Sequence, residues 1–133
     1  MKTTAMNNNV VILTEHFKFS EFDCKDGTPV PKKYYNNVII LAEQLEVLRA
    51  SVCVPIIILS GYRTNTYNAK VGGVAHSQHL LAKAADIVAK GYDSKQIYYE
   101  IENLIAQGKM KDGGLGLYDN FVHYDIRAKR ARW

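Results

Sequence analysis

Long apolar runs are what the sequence most plainly lacks. No stretch of 18 apolar residues occurs in it, whereas a membrane-crossing helix needs about 20, so no spanning segment is expected. Near the start, "MKTTAMNNNVVILTEHF" holds four consecutive apolar residues, Val10 to Leu13, too few for a signal-peptide core of about 7–15. The chain is therefore expected to be soluble, made in the cytoplasm and without a signal peptide. Cysteine is scarce: Cys24 and Cys53 stand 29 positions apart with no CxxC pair. That argues against a zinc ribbon and a disulfide framework and leaves two buried thiols as the expectation. Internal repeats, low-complexity tracts and linker-like stretches are missing too, so nothing divides the chain.

What is present suits one folded unit. At 133 residues the chain is about one domain long and able to bury a core without staples. Residues 1–133 are expected to form a single domain, with a core at about 16–127 between a short N-terminal lead and a basic C-terminal tail. A hydrophobic share of 47% with 23% charged residues excludes disordered and fibrous classes. The net charge of +4 and pI near 9.0, part of it in the tail "RAKRARW", fit nucleic acid or an acidic wall polymer without choosing between them.

Apolar periodicity predicts the elements of an α+β fold. After the turn-rich stretch "FKFSEFDCKDGTPVP", Val38, Leu41, Ala42, Leu45 and Leu48 recur at helical spacing, predicting an amphipathic helix to about Ala50. "VPIIILSGY" reads as a buried strand and "AADIVA" as a second. Asp93 or Ser94 caps a helix through "SKQIYYEIENLIAQG", with Ile97, Ile101, Leu104 and Ile105 as its apolar stripe and Gly108 as its stop. Tyr98 and Tyr99 are expected to pack on that helix rather than to form a substrate platform. Two strands, Leu115 to Tyr118 and Phe121 to Arg127, are expected to meet at an Asp119-Asn120 turn. Alternation then sets Phe121, His123, Asp125 and Arg127 on one face and Val122, Tyr124 and Ile126 on the other. A polar row is unusual in a core, so that face is expected to line a cleft.

Chemistry concentrates in "SGYRTNTYNAKVGGVAHSQHLLAKAADI", residues 60–87. A catalytic zinc takes three N and O ligands and keeps a fourth position open, and His79, Asp86 and His123 are among the few groups able to supply them. The seven-residue gap from His79 to Asp86 is neither a helical nor a strand-neighbour spacing, so the loop must fold back to join them. Spacing alone leaves two readings, a metal site or a surface histidine beside a capping aspartate. His76 competes as a ligand only if its segment is helical, and otherwise is a solvated loop residue. His16 reads as structural. Gly72-Gly73 supplies positive φ or a close backbone approach.

Taken together, "SGYRT", "VGGV", "SQH", "AAD", "GLGLY" and "FVHYDIR", with "FSEFDCKDG" upstream, resemble the zinc peptidases of the D-alanyl-D-alanine carboxypeptidase class, the M15 group, which includes phage L-alanyl-D-glutamate endopeptidases. The similarity covers roughly residues 16–127. It implies a small antiparallel sheet flanked by helices, of the hedgehog/DD-peptidase type, and one Zn2+ per chain held by His79, Asp86 and His123. For Arg63 it implies a hold on the substrate carboxylate, which a guanidinium fork suits; an ion pair with Asp86 is the alternative. Ser77 is expected to bond near the site or to substrate, or else to serve the turn.

The implied mechanism has zinc activating water and polarising the scissile carbonyl while a carboxylate moves the proton. Many relatives place Asp or Glu three residues before the second histidine ligand, where this chain has Asn120, and an amide is no base. Asp125, about 7 Å along the strand from His123, is the favoured catalytic carboxylate and Asp119 the alternative. The other role open to Asp125 is to orient a ligand or Arg127. Ala82 stands where the family usually has glycine, which matters only if the backbone there needs positive φ. The implied activity is hydrolysis of a bond involving a D-amino acid in the peptidoglycan stem peptide. Its agent would be a monomer acting on the bacterial cell wall, a phage or prophage product or else a host enzyme trimmed of its leader. A catalytically silent wall-binding module on the same scaffold is the second reading. A basic nucleic-acid binder accounts for none of these residues, so no nucleic-acid partner is expected, and no membrane.

Overall fold

Two apolar patterns, one of helical period and one of period two, build the core. The computed structural model describes residues 6–7 and 10–133; residues 1–5 and 8–9 of the N-terminal lead lie outside the described residues. Helix α1 (Tyr35–Val52) buries all five predicted positions, Val38, Leu41, Ala42, Leu45 and Leu48. It ends at Cys53, left-handed at φ 61, whose N–H donates to the Arg49 carbonyl. Cys53 is therefore a surface residue at a helix end, and only Cys24 is the buried thiol expected of both.

Short strands β1 (Met6–Asn7), β2 (Val10–Thr14) and β3 (Phe17–Lys18) form one antiparallel sheet. The larger sheet contains β4 (Ile56–Ser60), β5 (Ala84–Ala89), β6 (Gly114–Leu117), β7 (Val122–Asp125) and β8 (Ala131–Arg132), in the order β4-β5-β7-β6-β8. Its pairings are antiparallel apart from β8, which runs parallel to β6. The expected hairpin of β6 and β7 is present, with the Tyr118 N–H donating to the Phe121 carbonyl at 3.1 Å, although β6 begins and ends one residue earlier than the pattern suggested and β7 is shorter. Helix α3 (Ser94–Ala106) starts in a capping box of Asp93 and Gln96, which satisfies two N-terminal N–H groups.

Period two sorts the sheet. Ile56, Ile58, Ala85, Ile87, Leu115, Val122 and Tyr124 join one apolar cluster with the buried stripes of α1 and α3, where each fully buried Leu or Ile contributes about 1.5–3 kcal/mol. Their neighbours in sequence point to the opposite face. That corrects the expectation of a wholly buried β4: it is an edge strand, with Ile57 49% and Leu59 42% exposed. On α3, Tyr98 packs against the core while Tyr99 is 64% exposed, so only the first of the two behaves as expected. The basic tail is part of the sheet, since it supplies β8. Among the described residues no helix is long and apolar enough to cross a membrane.

Candidate metal centre

Strands β5 and β7 pair with Asp86 directly across from His123, on the face turned away from the helices. Ser60, the last residue of β4, pairs with Asp86 across a register shift, so the chain leaves the sheet at Gly61 beside this pair. It then forms the short helix α2 (Asn65–Lys70), capped by Thr64 Oγ1 accepting from the Tyr67 N–H. The return uses both properties expected of the glycine pair. Gly72 has φ +76, and a Cβ on Gly73 would lie 2.0 Å from Asn68 Oδ1.

A 3-10 turn at Gln78–Leu81 completes the fold-back, with Ser77 at its N-terminal end accepting from the His79 N–H at 3.1 Å. Its other end is Ala82, left-handed at φ 57, the position where glycine was usual, so the departure falls where the backbone does need positive φ. The Arg63 N–H donates to the His79 carbonyl at 3.0 Å, tying the loop's entry to its exit.

This route brings His79 Nε2 to 3.2 Å and His123 Nδ1 to 3.1 Å from Asp86 Oδ1. All three side chains are buried, and one donor atom from each lies within 4.8 Å of the others. The remaining ring nitrogens are fixed from behind. His79 Nδ1 is 2.7 Å from the Gly61 carbonyl and His123 Nε2 is 2.7 Å from Asp125 Oδ2. Both partners only accept, so those nitrogens carry protons, and once His79 Nε2 and His123 Nδ1 give up theirs, as a bound metal requires, their lone pairs point at one place. Two imidazoles and a carboxylate, with outer hydrogen bonds setting the tautomers, fit a zinc-class ion.

Electrostatics follow the same contacts. Burial alone would raise the pKa of Asp86, but hydrogen bonds from His123 and His79 outweigh it and hold the carboxyl well below its ordinary value. Burial opposes a charged His123, yet hydrogen bonds to Asp125 and Asp86 win and raise its pKa. Asp125, also opposed by burial, is held low by His123 and Arg127.

Around the trio the expected residues take different places. Arg63 donates to Ser60 Oγ (3.1 Å), Asn68 Oδ1 (3.1 Å) and Asp86 Oδ2 (3.2 Å), so it makes the ion pair with Asp86. Asp125, fully buried, accepts from the Gly114 and Arg127 N–H groups, from His123 and from the Arg127 guanidinium. Asp119 is not brought to the trio. It lies in the exposed turn, its carbonyl accepting from Ser94 Oγ at the start of α3, and Asn120 sits beside it. His76 is exposed and precedes the 3-10 turn, while His16 pairs with Glu46 at 2.7 Å.

Two participants escaped sequence reasoning. The Gly61 carbonyl is invisible in a side-chain pattern. Trp133, whose ring centroid is 4.9 Å from that of His123, left a faint signal in "GGLGL": alternate glycines leave the site face of β6 bare. A family model described as Peptidase M15 matches residues 15–125, a span that includes the trio, Arg63, Ser77 and Asp125. No curated protein matches the chain.

Proposed function

The chain belongs to the peptidase M15 family of metal-dependent peptidases, and from that premise we propose that it is a zinc peptidase cutting a bond that involves a D-amino acid in the peptidoglycan stem peptide. The observation that carries the reading is the buried His79–Asp86–His123 trio, whose ring nitrogens are aimed from behind by the Gly61 carbonyl and Asp125. When bound there, zinc supplies a Lewis acid and a water acidified toward neutral pH.

The protein's own groups do the positioning. Asp125 keeps the His123 Nε2 proton and so leaves Nδ1 free to bind. Because its oxygens already accept four groups, it serves as a positioning residue rather than the base. Arg63 draws Asp86 into place and, of the five N–H donors of a guanidinium, uses three on the protein. The others remain for a substrate carbonyl or carboxylate. Ser77 acts on the turn that sets His79. Arg130 and Arg132 pair with Asp112 and Glu102, which weakens the case for nucleic acid as partner. On this reading the enzyme acts as a monomer on the bacterial cell wall, with a phage, a prophage or the host itself as its source.

One observation favours the second reading, a silent wall-binding module: no uncommitted carboxylate touches the trio among the described residues. Metal analysis and turnover separate the two. Protein purified without chelator should carry about one zinc per chain, His79→Ala and His123→Ala should carry little, and the wild type should release stem-peptide fragments from purified peptidoglycan. Zinc without release would move the binding module to first place; no zinc even when offered would remove the peptidase.

A further inference from the structure

A second guanidinium stands beside the trio with donors left over. Arg127 is fixed by Asp125: its backbone N–H and Nε donate to Oδ1 at 3.0 and 2.9 Å, and Nη2 donates to Oδ2 at 2.7 Å. Asp125 Oδ2 is also the atom that holds His123, so this fork sits one carboxylate away from a metal-ligand candidate. Nη1 has no protein partner among the described residues, and the side chain is 29% exposed, so its two N–H groups reach solvent on a rigid support.

Trp133 completes the place. Its ring lies 5.2 Å from the Arg127 guanidinium carbon, and its Nε1–H donates to the Tyr118 hydroxyl at 2.9 Å. Backbone bonds to Leu115 and Leu117 hold it on β6. Gly116 makes the room, since a Cβ there would lie 2.4 Å from the indole nitrogen. Yet the residue stays 45% exposed, a large aromatic surface open at a buried polar site.

Charge favours an anionic occupant. Asp86 and Asp125 are balanced by Arg63 and Arg127, so a bound divalent ion leaves the pocket positive. Across the sheet, Arg63 follows β4 at one edge and Trp133 follows β8 at the other, with the trio between.

We propose that Arg127 and Trp133 form a carboxylate subsite for an acidic peptide, on the side of the trio opposite Arg63. The free edge of the fork donates to the carboxylate, and the aliphatic part of the residue lies on the indole. The subsite deepens the peptidase reading and rests on it for where the scissile bond lies.

Trp133 is the only tryptophan, so its emission reads the subsite directly. The probes are N-acetyl-L-alanyl-D-glutamate with free carboxylates and the same dipeptide as its diamide. Saturable change of emission is expected with the acid, and binding about ten- to hundredfold weaker with the diamide, the range of a charged hydrogen bond. Arg127→Gln should bring the acid down to the diamide's affinity, and Arg127→Lys should fall between. Equal binding of acid and diamide by the wild type overturns the subsite, and that comparison needs no variant. Zinc content and peptidoglycan turnover run in parallel keep the two ideas apart. Turnover with equal binding sinks the subsite alone, while carboxylate-dependent binding without zinc or turnover sinks the peptidase alone.

Discussion

Asp86 and Ile87 are adjacent on β5 and face opposite sides of the same sheet. Ile87 lies in a cluster drawn from every major element, where any apolar group of the right volume would serve. Asp86 meets three named partners, His79, His123 and Arg63, at 3.1–3.2 Å, and each comes from a different segment. One face is held by area and the other by identity, so substitution should injure them in different currencies.

The sharpest break of that contrast uses those two positions. Ile87→Ala should cost about 2–5 kcal/mol of unfolding free energy and leave zinc affinity of the folded fraction unchanged, read by urea melts beside zinc titration. Asp86→Ala should cost about 3–5 kcal/mol, because Arg63 is left without its buried counter-charge, and should abolish zinc binding. Acid separates them further. The Asp86 carboxyl is held below its ordinary 3.8, so it binds a proton less readily folded than unfolded. Its stabilisation is complete above about pH 5 and is lost as pH falls through the depressed value. In chelated protein, Ile87→Ala should keep the wild-type acid slope and Asp86→Ala should flatten it. A zinc defect in folded Ile87→Ala would erase the distinction between the faces.

A smaller test moves to β7. Asp125→Asn keeps the shape but weakens the hold on His123, and should lower zinc affinity about ten- to hundredfold. Its neighbour Tyr124 donates to the Lys111 carbonyl at 2.7 Å on the other face. Tyr124→Phe should cost about 1 kcal/mol of stability with no change in zinc affinity, by the same titration. Equal zinc losses in the two would mean that the faces are coupled.

How much of this was legible depended on range. Alternation along "FVHYDIR" correctly set Tyr124 inward and His123 with Asp125 outward, because a strand's two faces are fixed by its own residues. Edge position is not: "IIIL" looks buried in isolation, and only the strand order leaves Ile57 and Leu59 uncovered. The fold-back joining His79 to Asp86 could be required from the spacing but not drawn, as it rests on backbone bonds to Gly61 and His79. The two-residue β8 has no periodicity to read, so the tail showed its charge and hid its place in the sheet. Asp119 looked near His123 along the chain, yet the turn carries it to the α3 side.

The smallest expected effects compare Cys53 and Ala82, the two non-glycine residues with positive φ among the described residues. Left-handed backbone costs an L-residue about 1–2 kcal/mol, and glycine relieves it at about 0.4–1 kcal/mol of added unfolded-chain entropy. Cys53 is exposed, so Cys53→Gly removes little packing and should raise stability by about 0.5–1 kcal/mol, measured by thermal melts. Ala82 is 1% exposed within the core cluster. Losing its methyl costs about 0.8 kcal/mol more, which leaves Ala82→Gly near zero. A clear gain at Ala82 would show that strain in the loop that carries His79, not burial under it, dominates at this position.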